Sequence, residues 1–344
     1  MKAAYMLNKG IHVGELPDPT PTEGQVLVRT HRCGICASDL HLVHHGERIV
    51  KWSRDFNGPF RIDLERPVVL GHEFVAEVLE YGPRTEKAFE TGTRVTSLLS
   101  IPTPQGEKAY VGLSNDFPGG FGEYMLLPAD ILRKVPDSLA TDLAVLTEPL
   151  SVGLHHARYG KPQPDDVPLV VGCGAIGLAV IAGLKLLGLG PIIATDFDAS
   201  RRELAGKMGA DVVFDPRERS PYVNLPEAGG RAPNVIYECV GVPGVMDQIL
   251  QQATYRARII SGGWCLEPDY MFTPAAHTKQ LTIMFAGGEE QEDFDLALHA
   301  LATGKVDGSH LLGSTVGLSG VAAALEGLAD PRNPIRVLVD PRQA

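Results

Sequence analysis

The hydrophobic pattern of this chain changes character near residue 165. Before that point, apolar residues fall in short runs bounded by Gly or Pro: GQVLVRTHR (24–32), VVLGHEFVAEVLEYG (68–82) and GTRVTSLL (92–99). Val, Leu and Thr at this density fit pleated strands. Helical periodicity is sparse until TDLAVLTEPLSVGLHHARY (141–159), so the pattern predicts an irregular, mostly antiparallel β domain. Beyond residue 165, VPLVV (167–171) is a continuous apolar run, and GCGAIGLAVIAGLKLLG (172–188) carries apolar residues at helical spacing. Further apolar runs follow at PIIAT (191–195), DVVF (211–214), NVIYECV (234–240), ARIIS (257–261) and LTIMFA (281–286). Helical stretches such as SRRELAGKMG (200–209) and GVMDQILQQAT (244–254) lie between several of them. Six strands buried on both faces, alternating with helices, predict an α/β fold with a doubly wound parallel sheet. The tail reads as a helix and a closing strand, IRVLVD (335–340), that packs back on the first domain.

Composition narrows the function classes. A chain of 344 residues can bury two cores. Its net charge of −11 disfavours nucleic acid and anionic membranes, both of which need a positive partner surface. The start, MKAAYMLNKGIHVGE, lacks the apolar core of a signal peptide, and no run is long enough to span a bilayer. The expected compartment is the cytoplasm. Five cysteines, Cys33, Cys36, Cys173, Cys239 and Cys265, are too few and too scattered for a disulfide framework.

Gly172-Cys173-Gly174-Ala175-Ile176-Gly177 is a G-x-G-x-x-G motif. It follows an expected strand and opens an expected helix, the context a dinucleotide pyrophosphate requires. The first Gly permits the tight turn, the second lets the pyrophosphate approach, and the third lets helix pack on strand. Backbone N–H groups at the helix start then favour the phosphate charge. Nineteen positions after Gly177, Asp196 ends the PIIAT run. A carboxylate there accepts from both ribose hydroxyls and repels a 2′-phosphate, which favours NAD over NADP. Arg201, five residues on, tolerates either.

The densest chemistry lies in Cys36-Ala37-Ser38-Asp39-Leu40-His41 and Gly71-His72-Glu73. Thiolate, imidazole and carboxylate are zinc ligands, and a catalytic zinc keeps one position open for substrate. Such a zinc lowers the pKa of an alcohol as it does that of water. Ser38 and His41 then carry the released proton to solvent, and Asp39 can orient a ligating imidazole. Cys33-x-x-Cys36 has two other readings, a redox pair or half a zinc knuckle, but no second C-x-x-C completes a knuckle.

Together, C-G-I-C-x-S-D-x-H at 33–41, G-H-E at 71–73, E-P-L-S-V-G-L-H at 148–155 and V-G-C-G-A-I-G-L at 171–178 resemble the zinc-dependent medium-chain dehydrogenase/reductase (alcohol dehydrogenase) family, over essentially the whole chain. The third block is most similar to the sorbitol and threonine dehydrogenase branch. The resemblance implies a chaperonin-10-like irregular β-barrel catalytic domain over 1–155, a Rossmann NAD-binding domain over 156–288, and a C-terminal return over 289–344. It implies Cys36 and His72 as zinc ligands, Ser38 and His41 as the proton relay, and either Glu73 or Glu148 as the third protein ligand. Of these two, Glu148 is preferred, with the carboxylates exchanging through water. Val240, Gly241 and Gly262, at carboxyl ends of strands, are implied to line the cofactor cleft. The activity implied is hydride transfer between an alcohol, secondary or polyol-like, and NAD, in a homodimer or homotetramer paired through LTIMFA (281–286). A zinc-free enone or quinone reductase and a non-catalytic cofactor binder are the alternatives.

Three departures from the family stand out. The lobe at 97–118 has no cysteine, which excludes a structural zinc held by four cysteines. Ala37 stands where some members carry a phosphate-binding Arg. The 36 positions from Cys36 to His72 are more than the branch leads one to expect. The extra chain at 46–66 is expected to be either a lid that sets substrate choice or a solvated surface loop.

Overall fold

The strand Gln25–Gly34 organises the first half of the fold, because it is paired along both edges. Val26, Val28 and Thr30 alternate inward from it and are fully buried. Glu73–Tyr81 pairs with it on one side, while Tyr124–Pro128 and then Arg336–Val339 pair with it on the other, all antiparallel. Register places Gly34 opposite Glu73 and, across the other edge, opposite Leu338. With Arg94–Ser97, Leu132–Lys134 and Leu312–Val316 the sheet has seven strands. A second sheet of three strands is built from Lys2–Leu7, Gly10–Glu15 and Val68–Val69.

The structure is a computed structural model and describes residues 1–102, 108–328, 330 and 333–343. The chain divides into two compact units: residues 1–148 with 311–344, and residues 149–310. The sequence-based boundaries at 155/156 and 288/289 therefore fall elsewhere. The helix Gln291–Ala302, expected to return to the first domain, stays in the second unit. It buries Phe294 and Ala297 there, and its Asp293 accepts a hydrogen bond from Arg158 at 2.6 Å and pairs with His155 Nδ1 at 3.0 Å.

The second unit holds the six-stranded parallel sheet. Its spatial order is Val212–Phe214, Ile193–Thr195, Pro168–Val171, Val235–Glu238, Arg258–Ser261, Thr282–Phe285. The strands sit within the six apolar runs read from the sequence. Order reverses between Pro168–Val171 and Val235–Glu238, so the loops after these two strands open side by side, where ligands of doubly wound sheets bind.

The longest helix outside the expectations from sequence lies in the first unit, and the short helix Val321–Gly327 is another. Ala37–Asp55 runs for 19 residues inside the expected β domain. Its buried face is Asp39, Leu42, Val43, Gly46, Ile49 and Ser53, so small and polar residues interrupt the apolar stripe that would have announced it. The segment at 46–66 is thus half helix. Its remainder is fastened: Phe60 N–H donates to Ser53 Oγ at 2.7 Å, Asp63 N–H donates to Asn115 Oδ1 at 2.8 Å, and Phe60 lies 5.5 Å from Tyr110, ring to ring. Of the cysteine-free lobe, residues 103–107 lie outside those described, and Ser100–Pro102 pairs with Lys108–Tyr110. Among the described residues, no helix is long and apolar enough to cross a membrane.

Candidate metal and cofactor sites

Cys36 lies two residues past the end of the strand Gln25–Gly34 and caps the helix Ala37–Asp55 with extended backbone. Its N–H donates to Asp39 Oδ2 at 3.0 Å, three residues on, closing a capping box that fixes where the thiol sits. Asp39 is fully buried, and its other oxygen accepts from Gly71 N–H at 3.2 Å. One carboxylate therefore joins the cysteine motif to the Gly-His-Glu motif. It also lies 3.5 Å from His72 Nδ1, an ion-pair distance without a well-formed hydrogen bond.

The result is a cluster in which one ligand atom each from Cys36, His72 and Glu73 lies within 4.8 Å of the others. Glu73 is fully buried, and Arg336 Nη2 pairs with its Oε1 at 2.7 Å. Neither Glu73 oxygen has a hydrogen bond of good geometry, nor does His72 Nδ1. A Cβ on Gly34 would come within 2.5 Å of Glu73 Oε2, so the strand opposite is cut away to admit the carboxylate. Glu148, the carboxylate preferred from sequence, is buried in the first turn of Thr147–Tyr159 but is not a member of the cluster.

The electrostatics of the cluster favour a cation. Burial pulls the His72 pKa down, but Asp39 and then Cys36 more than offset this and raise it well above the usual value. Burial likewise opposes the Arg336 charge, which Glu73, Cys36, Glu148 and Asp39 more than restore. Four acidic or thiol groups thus converge on one guanidinium, and buried charge requires a partner. The soft thiolate, imidazole and carboxylate are a donor set that suits zinc. Cys33 is not part of it: burial, then Asp39 and Glu73, push its thiol well up, so the redox-pair reading of Cys33-x-x-Cys36 loses its reactive thiol.

Ser38 and His41 lie one turn apart on the helix. Ser38 Oγ is 3.2 Å from His72 Nε2. His41 is half-buried, and its pKa is lowered by burial and then by His45 and His44.

In the second unit, Gly172 leaves the strand Pro168–Val171 with φ of +89°, in the region that favours glycine. Gly174 is the N-cap of Ala175–Leu186, which begins with Ala175 and Ile176. Gly177 is the closest approach: a Cβ there would meet Gly172 O at 1.9 Å. Asp196 lies just past Ile193–Thr195 and accepts from Cys173 N–H and Asp198 N–H, both at 2.8 Å, tying the glycine turn to the second strand. Arg201 Nη1 lies 3.7 Å from where a Gly174 Cβ would be, so its guanidinium flanks the same turn.

Val240 and Gly241 follow Val235–Glu238, and both N–H groups donate to Glu238 Oε1, at 2.7 and 2.8 Å. Gly262 N–H donates to Glu238 O at 2.8 Å. Glu238 therefore ties together the two strand ends expected to line the cofactor cleft, and sequence reasoning missed it. His156 was missed as well. It is buried, its Nδ1 is 2.6 Å from Val152 O, and its ring lies 2.4 Å from where a Gly262 Cβ would be. Arg336 was the third omission, although an Arg inside the closing apolar strand was the available signal.

Known proteins share both halves of this architecture. A family described as alcohol dehydrogenase GroES-like domain matches residues 22–137, and one described as zinc-binding dehydrogenase matches residues 175–303. (R,R)-Butanediol dehydrogenase of Bacillus subtilis is 34% identical over 74% of this chain and 75% of its own length. Sorbitol dehydrogenase of the same organism is 29% identical over 100% of this chain and 98% of its own. L-Threonine 3-dehydrogenase of Pyrococcus horikoshii is 31% identical over 73% of this chain and 71% of its own. Among solved structures, 2R,3R-butanediol dehydrogenase from Bacillus subtilis superposes with a TM-score of 0.84 at 27% identity, covering 99% of each chain. RspB from Escherichia coli, complexed with NADH, gives 0.81 at 25% over 99% of each chain. A putative zinc-binding dehydrogenase from Sinorhizobium meliloti, bound to NADP, gives 0.83 at 25% over 99% of each chain.

A GroES-like β domain joined to a Rossmann sheet defines the medium-chain dehydrogenase/reductase class. Within it, this chain belongs to the zinc-type alcohol dehydrogenases, oxidoreductases that act on CH–OH donors with zinc and a nicotinamide cofactor.

Proposed function

We propose that this enzyme oxidises a secondary alcohol whose neighbouring carbon bears a hydroxyl or amino group, with NAD as acceptor and one catalytic zinc. The grouping of Cys36, His72 and Glu73 within 4.8 Å is the observation that carries the zinc reading. Butanediol, sorbitol and threonine, named in its relatives, share that substituted secondary alcohol. Cys36, His72 and Glu73 would hold the metal, with Glu73 Oε1 paired to Arg336, and Glu148 would be the carboxylate to exchange with Glu73.

Zinc supplies the Lewis acidity that makes an alcohol hydroxyl acidic near neutral pH, and nicotinamide accepts the hydride. The protein's share is positioning and proton transfer. Asp39 holds the Cys36 N–H and faces His72, which restrains both ligands. Ser38 takes the hydroxyl proton and hands it to His41, whose lowered pKa keeps it neutral and receptive at pH 7.

Asp196 supports NAD over NADP, since its carboxylate sits at the glycine turn where a 2′-phosphate would be repelled. Phe285 on the edge strand Thr282–Phe285 is exposed, which supports a homodimer or homotetramer built through that edge. Free thiols at all five cysteines support the cytoplasm as its place of work. The test is a panel of diols, polyols, 3-hydroxy amino acids and simple alcohols, each assayed with NAD and with NADP after zinc loading. The proposal expects the highest kcat/KM with NAD and a vicinally substituted secondary alcohol, and preference for a primary or unsubstituted alcohol would overturn it.

A further inference from the structure

His44 and His45 have no part in the chemistry so far, yet they continue the track on which Ser38 and His41 stand. The His41 and His45 rings, one helical turn apart, have centroids 6.3 Å apart and planes tilted by 31°. His44 and His45 follow at 6.2 Å in an edge-on arrangement. His44 Nε2 then meets Glu326 Oε1 at 2.9 Å, and both side chains are exposed, by 44% and 65%. Exposure therefore rises along the series from half-buried His41 and His45 to solvent. The helix also departs from helical geometry at one residue only, His45, with φ of −124° and ψ of 16°.

We propose that His45, with His44 and Glu326, extends the proton exit of the alcohol dehydrogenase reaction beyond His41 to solvent. Ring centroids about 6 Å apart are close enough for a bridging water to link neighbouring imidazoles, and such a water makes hydrogen bonds nearly as good as direct ones. Imidazole suits each station, since it accepts at one nitrogen while releasing from the other. The balance is simple. Oxidation of one CH–OH sends the C–H electron pair to nicotinamide as hydride. The O–H proton passes through Ser38 and His41 to His45, then through His44 to Glu326 and water. One proton leaves per turnover, and no other reactant is needed. The low basicity of His41, caused by burial and by His45 and His44, agrees with a station that passes protons on rather than keeping them. Charged groups on the surrounding elements are Glu326 from Val321–Gly327, Asp39 and Arg48 on the same helix, and Glu47, which pairs with Lys9.

This inference rests on the zinc-dependent alcohol oxidation proposed above, and the experiment keeps the two apart. Zinc-loaded wild type, His45→Gln and His44→Gln/His45→Gln are compared in dilute, weakly accepting buffer, with a pH indicator reporting proton release in stopped flow. Zinc content, NADH affinity and KM are expected to stay as in wild type. Proton release and kcat at pH 7 should fall by roughly one order of magnitude. Added imidazole buffer or a rise in pH should restore both. An active wild type whose variants release protons at the wild-type rate, with an unchanged pH profile, overturns the relay alone. A zinc-loaded wild type that oxidises no alcohol overturns the relay together with the function it rests on. Loss of zinc or of NADH affinity in the variants would mark these histidines as structural and also overturn the relay.

Discussion

Glu73 and Arg336 meet at 2.7 Å beside Gly34, and neither side chain is more than 3% exposed. Their strands flank the end of Gln25–Gly34, so backbone register alone brings the acid and the base together. The pair places a guanidinium against a buried carboxylate where Cys36 and His72 converge.

Removing the base should therefore be costly. Arg336→Met leaves Glu73 buried without a counter-charge, a loss of roughly 3–5 kcal/mol. Chemical denaturation of the metal-free protein should display the full loss. Zinc, itself a counter-charge to Glu73, should return part of it. An equal loss with and without zinc would separate Glu73 from the metal.

Gly34→Ala tests the space instead of the charge. The new methyl group would lie 2.5 Å from Glu73 Oε2, so the carboxylate must leave its present position in the cluster. Competition with a chromogenic chelator should show zinc affinity reduced by about one to two orders of magnitude, the range seen when the groups supporting a metal site are disturbed. Circular dichroism should show the β structure retained.

His156 makes the second unit sensitive to acid. Burial lowers its pKa to about 4 in the folded state, so the fold holds the neutral ring. The unfolded chain takes up a proton near the ordinary histidine value of 6.5, before the native state does. Stability is thus complete above about pH 6.5 and declines as pH falls towards 4, by about 3 kcal/mol at the lower end. Urea midpoints at pH 7 and pH 5 should differ in wild type, and by a smaller margin in His156→Gln, because that side chain does not titrate.

The proposed preference for NAD rests on Asp196. Asp196→Ser removes the repulsion of a 2′-phosphate and keeps a small acceptor beside Cys173 N–H, with Arg201 flanking the same turn. The ratio of kcat/KM for NAD over NADP should fall by roughly 10- to 100-fold, the worth of a charged hydrogen-bonding group.

What the sequence revealed and what it concealed divide along physical lines. The glycine turn, Asp196 and the six apolar strands were legible because local rules govern them: phosphate binding needs adjacent N–H groups, and a doubly covered strand must be apolar throughout. Cys36 and His72 were legible as metal-type residues in compact motifs. That Glu73 and not Glu148 lies in the cluster with them was not legible, since Glu73 is placed there by Gly34 standing opposite it and by Arg336 arriving from the far end of the chain. Glu238 acts through the N–H groups of Val240 and Gly241, a fastening that leaves no pattern in the sequence. The helix Ala37–Asp55 was hidden because Gly46 and Ser53 occupy its buried face, and Gly46 itself reads as a stop. The helix Gln291–Ala302 belongs to the second unit through Asp293 on His155 and Arg158, an ion-pair network that hydrophobic periodicity does not register.

X-ray absorption at the zinc edge of the purified, zinc-loaded enzyme tests the metal centre most directly. It should reveal one sulfur neighbour at about 2.3 Å with nitrogen and oxygen neighbours at about 2.0–2.2 Å. In Cys36→Ser the sulfur shell should vanish and alcohol oxidation with it, while NADH still binds. A spectrum with no sulfur in the wild-type enzyme, or full turnover by Cys36→Ser, would contradict the assignment of this cluster as the catalytic zinc site.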